Sequence, residues 1–183
     1  MNCALKTVDY ALDYINRWRH TRGYGVHSPL AFRIVKECVR PDSKYGFYSD
    51  AYLDFEFHED RKGLRNARMV IRLVNLLQPR RIWYPNGDKR LCTALKMSFP
   101  SIHLATQKEC PKNADFIINS DCRNIKSRWE KMYDSDECTM LIFSRCNEEE
   151  TPVSEKAPTM ILYGRNFTIM IRRVGMERIC YTL

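Results

Sequence analysis

Short apolar runs that alternate with helix-patterned segments constrain this chain more than any other feature. Arg81-Ile82-Trp83-Tyr84, Ile102-His103-Leu104-Ala105, Asp115-Phe116-Ile117-Ile118-Asn119 and Thr139-Met140-Leu141-Ile142-Phe143 each read as a strand, with Leu91 to Ser98 and Ile125 to Met132 as helices between them. Such alternation implies a parallel sheet with right-handed crossovers. Beyond Pro158 the pattern changes. Met160 to Tyr163, Phe167 to Ile171 and Arg178 to Thr182 are joined only by Gly164-Arg165-Asn166 and Val174-Gly175-Met176, links so short that they predict antiparallel hairpins.

Ahead of this region, Ala4, Val8, Ala11, Leu12, Ile15 and Trp18 recur at helical spacing, predicting an amphipathic helix that stops near Gly23 and Gly25. Ser28 before Pro29 predicts a second, short helix, capped by Ser28 and ended by Pro41. Residues 42–59 mix Tyr, Phe and acids with little helical period, and an irregular aromatic connector is expected there. From Asp60, Leu64, Ala67, Ile71 and Val74 trace one helix face, while Arg61, Arg65, Arg68 and Arg72 trace nearly the opposite one. Asp60 in the sequence His58-Glu59-Asp60 is placed to cap that helix rather than to act as an acid or base. The expected organisation is a helical extension with its connector over residues 1–59 and a sheet domain over 60–183, forming one compact unit.

The net charge of +8 is unevenly placed, because the stretch from Arg61 to Arg90 holds nine basic residues and one acid. A field of that sign attracts phosphates, nucleic acid or anionic surfaces, although a solvated helix face explains the stripe Arg61, Arg65, Arg68 and Arg72 more simply. Lys6 and Asp9 interrupt any apolar signal core, and no apolar run approaches the ~20 residues that span a bilayer, so a cytoplasmic protein without membrane contact is expected. Eight cysteines are scattered without a CxxC pair or a Cys/His cluster, which predicts reduced thiols and no metal. Cys92 and Cys146 flank the expected cleft, where Arg90 or Arg145 beside a thiolate would lower its pKa, although an unpaired buried thiol is the favoured reading. Glu148-Glu149-Glu150 reads as a solvated charge run.

Two stretches carry a resemblance: Gly25-Val26-His27-Ser28-Pro29, and Arg72-Leu73-Val74-Asn75-Leu76-Leu77-Gln78-Pro79 before a strand. The chain resembles a family of small bacterial class I methyltransferase-like proteins that use S-adenosylmethionine (SAM). The resemblance implies an α/β fold with a Rossmann-like class I methyltransferase sheet, mostly parallel with a C-terminal antiparallel hairpin, plus N-terminal helices. It also implies a cofactor site at Tyr84, Asn86, Gly87, Arg90, Lys108 and Glu109. Tyr84 stands where the family has an acid, Asn86 and Arg90 where it has glycines, and Lys108 where it has the acid for the ribose, with Glu109 one position off. Arg145 replaces an acid that serves metal or substrate in metal-dependent relatives. The interval from Thr151-Pro152 to the terminal strands is also shorter than the family plan, so a strand, a crossover helix or both are absent.

These replacements predict a catalytically silent relative that binds no cofactor and is kept as a binding or interaction module, dimeric through its N-terminal helices or bound to another protein. An active methyltransferase holding SAM through Asn86, Gly87 and Glu109 is the alternative. Binding of nucleic acid through the arginine stripe, or of a phosphate-bearing ligand through Arg90 and Arg145, is a third expectation. His27 and Ser28 beside a helix N-terminus form either an anion site or a structural cap, with the cap favoured.

Overall fold

The computed structural model describes residues 26–41, 46–47, 49–85, 87–111, 113–120, 122–132, 137–152 and 157–183. The helix expected over Ala4 to Trp18 therefore lies outside the described residues.

Helix α1 (Pro29–Arg33) opens at Ser28, whose extended backbone and side-chain oxygen meet the Ala31 N–H at 3.4 Å. The chain continues as a π-helical turn, Ile34–Val39, and leaves it at Arg40 before Pro41. Ala31, Ile34, Val35 and Cys38 line its buried side, at the spacing of one helix face. The connector is not irregular throughout, because Asp50–Glu56 forms helix α2. The Asp50 carboxylate accepts the Phe47 N–H at 2.9 Å, and Leu53 and Phe57, one turn apart, are buried. Helix α3 (Arg61–Leu77) is capped by Asp60, which accepts the Gly63 N–H at 2.7 Å, and it ends at Gln78 with a left-handed φ of 50° before Pro79. Gly63 leaves room for this cap: a Cβ there would lie 2.2 Å from an Asp60 carboxylate oxygen and 2.8 Å from the Phe57 ring.

The remaining elements are β1 (Arg81–Trp83), α4 (Lys89–Ser98), β2 (His103–Ala105), β3 (Phe116–Asn119), α5 (Ile125–Lys131), β4 (Glu137–Ile142), β5 (Met160–Tyr163), β6 (Thr168–Arg173) and β7 (Ile179–Thr182). They build one seven-stranded sheet in the order β2-β1-β3-β4-β6-β5-β7. β6 alone runs against its neighbours β4 and β5, so the sheet is mostly parallel with an antiparallel hairpin from β5 to β6. The second expected hairpin does not form. β6 is already paired with β4 along Glu137–Ile142 and with β5 on its other side, so β7 cannot pair with β6 and joins the outer edge of β5 instead, where it runs parallel. β5 accordingly stands outside β6 and not beside β4.

Alternate strand residues feed two cores. Ile82, Phe116, Ile118, Leu141, Leu162 and Ile169 pack under α1, the π turn, α3 and α4, while Trp83, Ile117, Met140, Ile142, Ile161 and Met170 pack with Ile125, Trp129 and Met132 of the α5 side. Burial on both faces explains why the strands read as unbroken apolar runs. The N-terminal segment is fastened to the far edge: the Tyr181 phenol oxygen accepts both the His27 and Ser28 backbone N–H groups, each at 3.2 Å. No helix among the described residues is long and apolar enough to cross a membrane.

Candidate functional site

In an open parallel sheet, the natural ligand crevice lies outside the carboxyl ends of the strands where their order reverses. Here β1 is flanked by β2 on one side and β3 on the other, which puts that point beyond Trp83 and Asn119. The turn after β1 closes tightly. The Tyr84 N–H extends the ladder to the Ala105 carbonyl at 2.9 Å, and the Gly87 N–H returns to the Tyr84 carbonyl at 3.1 Å. The Tyr84 ring lies directly on Gly87: a Cβ there would sit 2.3 Å from the ring's Cδ1, a distance that real Cβ atoms do not tolerate. Only 8% of Tyr84 is exposed, and burial raises its phenol pKa above the ordinary range. Asn86, also expected at this site, lies outside the described residues.

Arg90 does not extend into open space. Asp88 caps α4 by accepting the Arg90 N–H at 2.9 Å, and the Arg90 guanidinium folds back onto the same carboxylate at 2.7 Å. It also donates to the Glu56 carbonyl at 3.2 Å, lies 3.8 Å from Asp60 and stacks 3.9 Å from the centre of the Phe57 ring. The hydrogen bonds from Arg90 hold the Asp88 carboxyl below the usual carboxylate range. Arg90 thus joins the start of α4 to the end of α2, an element unforeseen in the sequence, and is not available as an open anion contact. Lys108 and Glu109 are exposed on the bend after β2, and the neighbouring Gln107 carbonyl accepts the Trp83 indole N–H at 2.9 Å.

Beyond β3 and β4 the chain gathers polar and sulfur groups that its spacing concealed. The Asn119 side chain is buried, accepts a hydrogen bond from Arg128 and donates to the Met140 sulfur at 3.5 Å. Cys122 Sγ lies 2.9 Å from Cys146 Sγ and 2.7 Å from Ser144 Oγ. Burial first, and the contact with Cys122 second, push the Cys146 thiol up to about 12, opposite to the lowering expected beside Arg145. Burial likewise raises Cys92, so neither thiol is activated. Arg145 itself is exposed. The two cysteines stand 24 positions apart, a spacing that carries no CxxC pattern, and each follows a buried strand by a few residues.

The arginine stripe is not a uniform solvated face. Arg61 and Arg65 are exposed, but Arg68 binds Asp54 of α2 at 2.7 Å, and Arg72 is half-buried with its Nε lacking a hydrogen-bond partner. Burial lowers the Arg72 pKa, and burial also pushes the neighbouring Cys38 thiol up to about 12. The His27 imidazole is exposed, whereas Ser28 is buried as the cap of α1.

Open space appears at the amino ends of the strands. A cleft of about 460 Å³ is lined by Arg80, Arg81, Arg172 and Arg173 together with Asp115 and Glu137. The Asp115 carboxylate is bound by the Arg80 and Arg81 backbone N–H groups at 2.7 and 2.9 Å. Comparison with known protein families, with curated proteins and with solved structures found no match to this chain.

Proposed function

We propose that the chain is a catalytically silent relative of the class I SAM-dependent methyltransferases, kept as a folded binding module in the cytoplasm. One observation carries this reading. The turn after β1, where the resembling family keeps glycines and empty space for the cofactor, is filled from within by Tyr84 on Gly87, with Arg90 drawn back onto Asp88 and Phe57. The sheet order, reversing at β1 and carrying its single antiparallel strand beside β4, supports the Rossmann-like part of the reading. A binding module requires a partner, either a second copy engaged through the N-terminal helices or another protein; sedimentation equilibrium reads the first directly.

Calorimetric titration with SAM and with its demethylated product tests the central claim. No heat of binding at millimolar ligand is the expected result. Micromolar binding, about 8 kcal/mol of free energy, overturns it and restores the active-methyltransferase alternative.

A second reading is favoured by the amino-end cleft, whose four arginines against two carboxylates suit a phosphate-bearing ligand. Binding of pyrophosphate that weakens steeply with salt supports it, and no binding at low ionic strength removes it.

A further inference from the structure

Cys122 follows β3 while Cys146 and Glu150 follow β4, yet their two sulfurs and a carboxylate oxygen all lie within 4.8 Å of one another. We propose that these three residues bind a thiophilic divalent cation, zinc foremost, at the carboxyl ends of β3 and β4. Two sulfurs and one carboxylate form a donor set for zinc, cobalt or iron, and a poor one for magnesium or calcium, which take oxygen ligands.

The geometry requires only a small adjustment. Tetrahedral zinc with bonds of about 2.3 Å holds two thiolates about 3.8 Å apart, so the sulfurs, now 2.9 Å apart, must separate by about 0.9 Å. Cys122 can supply that movement, since it is half-buried in the turn that precedes α5. Cys146 is the fixed ligand: its N–H donates to Thr168 Oγ1 at 3.0 Å, and that hydroxyl donates to the Ser144 carbonyl at 3.1 Å, tying the loop to buried β6. Ser144 Oγ, 2.7 Å from Cys122 Sγ, supplies a hydroxyl that donates once the sulfur is a thiolate. Glu150 is oriented by the Asn147 N–H, 2.9 Å from its Oε2, which leaves further carboxylate lone pairs for the ion. Such supporting hydrogen bonds orient ligands and strengthen metal binding.

On binding, each thiol gives its proton to buffer and its sulfur lone pair to the metal; no electron is transferred. Three protein ligands leave the fourth tetrahedral position to water or an incoming ligand, as in sites that act on a bound molecule. The proposal stands apart from the plugged turn after β1 and does not depend on whether that turn admits SAM.

The test uses the full chain, purified under reducing conditions, stripped with a chelator and titrated with Co2+ and then Zn2+. One equivalent of Co2+ is expected, with a sulfur-to-cobalt charge-transfer band and the strong visible absorption of a four-coordinate ion, both removed by Zn2+. Cys122→Ser and Cys146→Ser each weaken the band and the affinity, Glu150→Gln keeps the band but weakens binding at least about tenfold, and Cys180→Ser changes neither. In the unaltered protein, Zn2+ protects Cys122 from alkylation in peptide mapping, so the result does not rely on variants that fail to fold. Absence of stoichiometric binding by the reduced protein overturns the proposal. So does a charge-transfer band that survives both serine substitutions, or a Cys122–Cys146 disulfide formed with mild peroxide in a chain that takes up no metal when reduced.

Discussion

The two ends of the sheet differ in how the chain treats them. At the carboxyl ends, the side chains close on one another: Tyr84 on Gly87, Arg90 on Asp88 and Phe57, Arg128 on Asn119. At the amino ends, arginines border a cleft of about 460 Å³, and a second of about 410 Å³ lies beside it under Val74, Gln78 and Phe99. Strand direction makes the carboxyl end the usual binding side, because loops leaving that end can be varied without disturbing the ladder. Here the loop after β1 satisfies itself. Which end is open is thus decided by what the loop residues bind, and the topology alone does not settle it.

The largest expected effect breaks the closed end. Tyr84→Ala removes a buried ring and should cost about 3 kcal/mol or more in urea unfolding. If this variant binds SAM and the unaltered protein does not, the ring is what keeps the carboxyl end shut; if neither binds, closure depends on Arg90 as well. Next, Gly87→Ala drives a methyl into the Tyr84 ring and should cost about 1 to 3 kcal/mol. In the Tyr84→Ala background the same change should cost much less, and an additive double-mutant cycle would show that the ring and Gly87 do not interact.

A smaller effect on stability is expected at the open end. Arg80→Ala combined with Arg173→Ala should leave unfolding within about 0.5 kcal/mol while weakening pyrophosphate binding. Among the described residues the Arg173 side chain pairs with exposed Glu137 at 3.8 Å, so a large loss of stability there would show that the cleft is structural. The smallest effect concerns pH. The Asp88 carboxyl has its pKa depressed in the folded state, chiefly by Arg90, so its contribution is present above the ordinary Asp value and is lost as pH falls through the folded one. Asp88→Asn should flatten that acid limb of the stability profile, and an unchanged limb would show that the pairing with Arg90 contributes nothing.

The parts legible in the sequence were those set by local rules. Helix α3 could be read from Asp60 to Pro79 because its apolar spacing, cap and terminator agree, and the parallel strands because burial on both faces leaves unbroken Ile, Leu and Met runs. Helix α2 was hidden: Leu53 is its one aliphatic anchor, and its other apolar contacts come from aromatics set among acids. Its absence from the reading had further consequences, since α2 supplies Asp54 to Arg68 and the Glu56 carbonyl to Arg90. The placement of β7 depended on which strand edges earlier pairing had left free, and the Cys122 and Cys146 pair on a fold that brings two loops together. Such long-range pairings leave no periodicity to read.

The bond from Tyr181 to the His27 and Ser28 amides spans 154 and 153 residues of chain. During synthesis, the segment at residues 27 and 28 leaves the ribosome early and has no docking point until β7, the last strand of the sheet, has been made. Its attachment must therefore be a late event of folding, set by the completion of the sheet's outer edge. Until then the apolar side of α1 and the π turn, with Ile34, Val35 and Cys38, must be held by its packing on α3 and on the strands made before β7.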